Sequence, residues 1–182
     1  MMYGMRFPFT VMIMLCLAVL LVGCGAAGSE AEPAETASGE ATGEKPSAGA
    51  SIAITPPEGW EPVAGSTLPV QYMKNGASFM IKSERFLSDT PDDAVEEAKE
   101  AFAGAFSNVV YEDETEALTV DGREARRIVF TCEVSGLAMK YETVYVFADG
   151  GVVYAITFGD MADTFASLAA DYEQILADIR FE

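Results

Sequence analysis

The chain has 182 residues, with 11 Lys and Arg against 29 Asp and Glu, for a formal charge of −18. Such a surface repels nucleic acid and anionic lipid headgroups. There is no histidine, which removes the commonest general base and metal ligand.

Residues 1–6 carry one basic side chain, Arg6, and no acid, and residues 7–22 are almost wholly apolar. A membrane span needs about 20 apolar residues; this run has the length and flanks of a secretory signal. It ends in Leu21-Val22-Gly23-Cys24. That tetrapeptide resembles the lipobox of bacterial lipoproteins: Leu, a small or β-branched residue, Gly or Ala, then Cys. The resemblance implies cleavage between Gly23 and Cys24, a diacylglycerol of the palmitate class on the Cys24 sulfur, and a new amine open to acylation. Each buried methylene contributes about 0.8 kcal/mol, so two or three chains hold firmly where one is marginal. The expected location is the extracytoplasmic face of the cell membrane. Gly25 rather than Asp follows the cysteine, which leaves outer-membrane sorting open if the host has two membranes.

Three segments follow from composition: a signal peptide over 1–23, the acylated Cys24 with a linker to residue 50, and one domain over 51–182. The linker holds five Glu and one Lys among small residues, with no aromatic or large aliphatic side chain. It cannot bury a core and is expected to be disordered. A flexible chain of this length spans roughly 25–30 Å root-mean-square, enough to lift a domain off the lipid. Cys16 leaves with the signal and Cys24 is acylated, so Cys132 stands alone and no intrachain disulfide framework forms.

In the domain, Ile52-Ala53-Ile54 alternates as a strand does, and Pro56-Pro57-Glu58-Gly59-Trp60 reads as a turn. Strands over 70–74 and 77–86 flank Asn75-Gly76, a strong hairpin signal. Thr90-Pro91-Asp92-Asp93 opens a helix: Thr90 caps, Pro91 suits the first position, and the acids complement the dipole. Val95, Ala98, Phe102, Ala105 and Phe106 share its apolar face. Residues 109–120 read as a pair of short acidic strands. Strands over 123–134, 137–148 and 152–158 follow, punctuated by Asp121-Gly122, Ser135-Gly136 and Asp149-Gly150-Gly151. The last two strands are apolar on both faces and need cover on both. A second helix over 162–179 presents Phe165, Leu168, Ala169, Tyr172, Ile175, Leu176 and Ile179. The expected fold is α+β, a mainly antiparallel sheet with helices on both faces.

The order of these elements, with Pro-Pro-x-Gly-Trp near the start and Phe165…Tyr172-Glu173-x-Ile175-Leu176-x-x-Ile179-Arg180-Phe181 at the close, resembles the PsbP-like fold. That family includes DcrB-like bacterial lipoproteins. The resemblance implies an α/β/α sandwich over 51–182 whose relatives mostly bind or stabilise other proteins.

Candidate chemistry is sparse. Cys132 is the one candidate nucleophile after Cys24, and it lacks a neighbouring base, so it reads as a buried small apolar residue. Glu112, Asp113, Glu114 and Glu116 form a dense acid run without the glycine turn of a Ca²⁺ loop; it reads as a solvated edge that discourages aggregation. Arg123, Arg126 and Arg127 form a basic cluster suited either to internal pairing or to an acidic partner. Trp60 and Tyr72 read as rim packing or as the lining of a ligand pocket. No nucleotide-binding glycine fingerprint, serine elbow, metalloprotease helix or paired-cysteine motif is present. The sequence therefore points to a non-catalytic, membrane-anchored lipoprotein that needs no cofactor or metal and binds an envelope protein. The alternative is a small-ligand binder with a pocket near Trp60.

Overall fold

The computed structural model describes residues 51–88 and 90–182. The signal peptide, the Gly23–Cys24 cleavage point, the Cys24 lipid and the linker lie outside the described residues, as does the side chain of Asp113.

The chain runs β1 (Ile52–Ala53), β2 (Glu61–Pro62), β3 (Val70–Lys74), β4 (Ala77–Glu84), α1 (Pro91–Ala105), β5 (Ser107–Val120), β6 (Arg123–Val134), β7 (Leu137–Phe147), β8 (Val153–Met161), α2 (Ala169–Asp178) and β9 (Arg180–Phe181). Seven strands form one sheet in the order β2-β3-β4-β8-β7-β6-β5, and β1 pairs with β9 in a separate ribbon. Every pairing is antiparallel. The α+β class expected from the sequence is the one observed.

Three two-residue turns fix the hairpin registers. Asn75-Gly76, Asp121-Gly122 and Ser135-Gly136 all have positive φ at both positions. That is the geometry whose twist matches the flanking strands, and a Gly at the second position enters it without steric cost.

Each face of the sheet carries its own core. On one face Phe79, Ile81, Val144, Val146, Ile156 and Phe158 meet Tyr172, Ile175, Leu176 and Ile179 from α2 and its end. On the other, Ile128, Tyr145, Val153 and Ala155 meet Val95 and Ala98 of α1. Strand alternation sends neighbouring residues of β7 and β8 to opposite helices. Each fully buried aliphatic or Phe side chain contributes about 1.5–3 kcal/mol. Thr90 caps α1 by accepting the Asp93 N–H at 3.2 Å, as its sequence predicts.

Four expectations need correction. The acidic stretch is one 14-residue strand, not two short ones. It absorbs its irregularity in register shifts at Ser107/Val110 and Glu112/Glu116, so no turn is needed. Strand β8 continues three residues past Phe158, because Gly159, Asp160 and Met161 keep pairing with β7. The closing helix begins late. Asp160 accepts the Met161 N–H at 2.7 Å and the Thr164 hydroxyl at 2.8 Å, which holds 161–164 in a turn, and Phe165–Leu168 form only a 3₁₀ turn. The fourth is β9, two residues that were not expected as a strand.

Gly159 sits opposite Tyr141, and a Cβ there would lie 2.6 Å from Tyr141 Cε1. The Tyr141 ring is held by Phe130 and Phe106 at centroid distances of 5.4 and 5.9 Å, so it cannot swing away freely. Gly159→Ala is therefore expected to lower stability by about 1–3 kcal/mol, the usual cost of overpacking. In a denaturant double-mutant cycle the loss should shrink when Tyr141 is also Ala; a loss independent of Tyr141 would contradict this packing.

Candidate functional site

The three arginines do not form one cluster. Adjacent residues on β6 point to opposite faces of the sheet, and the partners follow. Arg126 reaches the start of α1, donating from Nε to Asp92 Oδ1 at 2.6 Å and pairing with Glu124 at 2.9 Å. Arg127 faces α2 and pairs with Glu173 at 3.0 Å, Glu142 at 3.2 Å and Glu116 at 3.4 Å. The Arg127–Glu142 contact is an ion pair whose atoms lack hydrogen-bond alignment. Arg123 lies over the Phe181 ring, 5.4 Å from its centroid. Neighbouring arginines thus tie one helix to each face of the sheet.

Glu142 is the residue the sequence reading missed. It is 8% exposed, and burial pushes its carboxyl above the usual range; Arg127 opposes that shift while Glu173 and Glu116 add to it. The signal was visible: Lys140 and Glu142 break the inward apolar series that Val144 and Val146 continue. Lys140 pairs with Glu112 at 2.6 Å, so Glu112 and Glu116 of the acid run are each drawn to a cation across the sheet.

Trp60 is 7% exposed and packs edge-on to Phe79 at 5.3 Å. Its indole N–H donates to Asp171 Oδ2 at 2.8 Å. Lys74 Nζ donates to the same oxygen at 2.7 Å and to the Glu58 carbonyl at 2.9 Å. The Pro-Pro-Glu-Gly-Trp turn is thereby locked to the first turn of α2. Gly59 is required there: its φ is +89° and a Cβ would stand 3.2 Å from the Lys74 side chain. The Lys74 hydrogen bond, with help from Trp60, holds the Asp171 carboxyl below its ordinary value.

Tyr72 stacks nearly parallel on Phe79 at 5.1 Å and also lines an open groove of about 500 Å³ between residues 52–55 and 62–72. Trp60 does not line that groove, so the two aromatics do not share it. Cys132 is buried, and desolvation raises its thiol pKa, the reverse of what a nucleophile requires. Among the described residues no cluster of three or more carboxylate or thiol ligands is placed to hold a metal ion. Nor is any helix among them long and apolar enough to cross a membrane.

No family model matches the chain, and no curated protein matches it. Solved structures do. LpqN of Mycobacterium tuberculosis, involved in cell envelope biogenesis, aligns with TM-score 0.59 at 14% identity over 74% of this chain and 85% of its own. PA94 of Pseudomonas aeruginosa, a protein of unknown function, aligns with TM-score 0.50 at 17% identity over 69% and 78%. Cyanobacterial PsbP of Synechocystis sp. PCC 6803 gives 0.49 at 11% identity over 72% and 87%. At these identities the likeness is one of fold.

Two titrations of opposite sign follow. Asp171 has a depressed folded pKa, so its contribution is present above the unfolded value near pH 4 and is lost as pH falls through the lower folded one. Asp171→Asn should therefore melt lower than wild type at pH 7, with the gap closing below about pH 4. Arg127→Ala leaves Glu142 buried without its nearest counter-ion, and a loss of about 3 kcal/mol is expected at pH 7. Because the Glu142 pKa is raised, that deficit should shrink as acidification protonates it, whereas Glu142→Gln should melt no lower than wild type. Thermal melts between pH 3 and 8 check both; an Arg127→Ala deficit that is flat with pH would contradict the second.

Proposed function

We propose that the protein is a lipid-anchored extracytoplasmic lipoprotein whose domain binds another envelope protein and performs no catalysis. The observation that carries this reading is Leu21-Val22-Gly23-Cys24 directly after an apolar run, read as a lipobox with diacylglycerol on Cys24. The glutamate-bearing linker then spaces the domain from the bilayer, and the acidic surface keeps it off anionic headgroups.

Several features support a binding module over an enzyme. The thiol of Cys132 is buried, and the inward-facing acids and bases on the α2 side are paired with one another rather than presented to a cleft. Fold likeness to a protein involved in cell envelope biogenesis is compatible with a place in the envelope, although fold alone does not assign function. The small-ligand alternative required a pocket at Trp60. That ring is buried in the core with its N–H committed to Asp171, which favours the protein-partner reading.

Metabolic labelling with an alkyne palmitate analogue tests the anchor. Wild-type protein should take up the label and fractionate with membranes. Cys24→Ser should take up none, and its N-terminus should no longer fall at position 24. A variant that stays membrane-bound with an unchanged mature N-terminus would contradict the proposal.

A further inference from the structure

We propose that the edge of β1 left unpaired among the described residues, with the uncharged groove beside it, receives an extended, uncharged segment of the partner protein as an added strand; this rests on the protein-binding reading above and names its surface. In the β1–β9 ribbon Ile52 stands opposite Phe181. Phe181 gives its N–H not to Ile52 but to Asp121 Oδ2 at 2.9 Å, while the Glu182 N–H goes to the Ser51 carbonyl at 2.9 Å. Ile52 and Phe181 are therefore a non-hydrogen-bonded pair, and the Ile52 N–H and C=O point away from β9. Residues 52–55 also line one wall of the groove, which β9 does not line, and Val63, Leu68, Val70 and Tyr72 line the rest. An unpaired strand edge is a template for strand addition.

Charge selects the occupant. Residues 51–182 carry nine basic and 24 acidic side chains, yet none of the residues lining this groove is charged. A charged segment would lose hydration there and find no counter-ion among the lining side chains, and the nearby Asp178 carboxylate already accepts the Thr55 N–H. Residues 25–50, with five glutamates, are a poor fit. A second copy would bring two strongly acidic domains edge to edge, which their mutual repulsion opposes. An uncharged extended segment instead gains main-chain hydrogen bonds to Ile52 and apolar contacts with the far wall.

The test is photo-crosslinking of the full chain in the cells that make it, with p-benzoylphenylalanine at Leu68 in the groove and, separately, at exposed Val110 on β5. The inference expects Leu68 adducts that map by mass spectrometry to an uncharged segment of another protein. They should fall at least tenfold in Ile52→Pro, which removes the groove-facing N–H, and in Val63→Glu, which charges the wall, and persist in Ile52→Val. Thermal melts identify any variant that fails through unfolding, so a folded member of the two decides. Adducts to lipid, to residues 25–50 or to a second copy overturn the inference, as do adducts that survive in a folded Ile52→Pro or Val63→Glu. Partner adducts from Val110 with none from Leu68 overturn this surface but leave the binding reading standing; no protein adduct from either position counts against both.

Discussion

Strands β7 and β8 are apolar on both faces over residues 144–147 and 153–156, and this sets the terms for the rest of the molecule. Val144 and Val146 are fully buried under one helix, and Tyr145, between them, is 2% exposed under the other. A sheet of this kind is not stable with one side in water, because burial of either face alone leaves the other exposed. Both helices are therefore obligatory, and three of the nine cations in residues 51–182 help to hold them. Arg126 meets the first turn of α1 through Asp92, Arg127 meets α2 through Glu173, and Lys74 meets α2 through Asp171. Exposed ion pairs are worth little, and Asp92 and Glu173 are themselves mostly exposed; the carboxylates that would be stranded in partly dry surroundings are Asp171, without Lys74, and Glu142, without Arg127.

Among the described residues Lys74, Arg126 and Arg127 fasten helices to the sheet, while Lys140 joins β7 to β5 through Glu112. Glu142 is a carboxylate held among other carboxylates and one guanidinium, and burial raises its pKa. At the margin of the fold the short β1 has, among the described residues, a partner on one side only. In the proposed reading the lipid holds the domain near the membrane, the acidic surface keeps the sheet off the headgroups, and the uncharged slot is where another chain docks.

Much of this was legible in the sequence because local signals agreed. The Asn-Gly, Asp-Gly and Ser-Gly turns set the hairpins, Thr90-Pro91 set the start of α1, and the double apolar alternation at 144–147 and 153–158 required two covering layers. What was not legible depended on distant residues. The late start of α2 follows from Asp160 bonding to Met161 and Thr164, a competition between side chain and backbone that apolar periodicity does not register. Strand β9 exists because β1 lies beside it. The division of Arg126 from Arg127 was implicit in strand alternation, yet adjacency in sequence suggested a cluster. Trp60 was ambiguous until Asp171, far along the chain, supplied an acceptor for its N–H.

Native-state hydrogen exchange tests the central constraint most directly. If both faces must be covered together, amides of β7 and β8 exchange only through global unfolding, with the same free energy that denaturation gives, while the Ile52 amide exchanges through local opening. Exchange of the β7 and β8 amides through a lower-energy opening, with one helix detached and the sheet intact, would contradict the account.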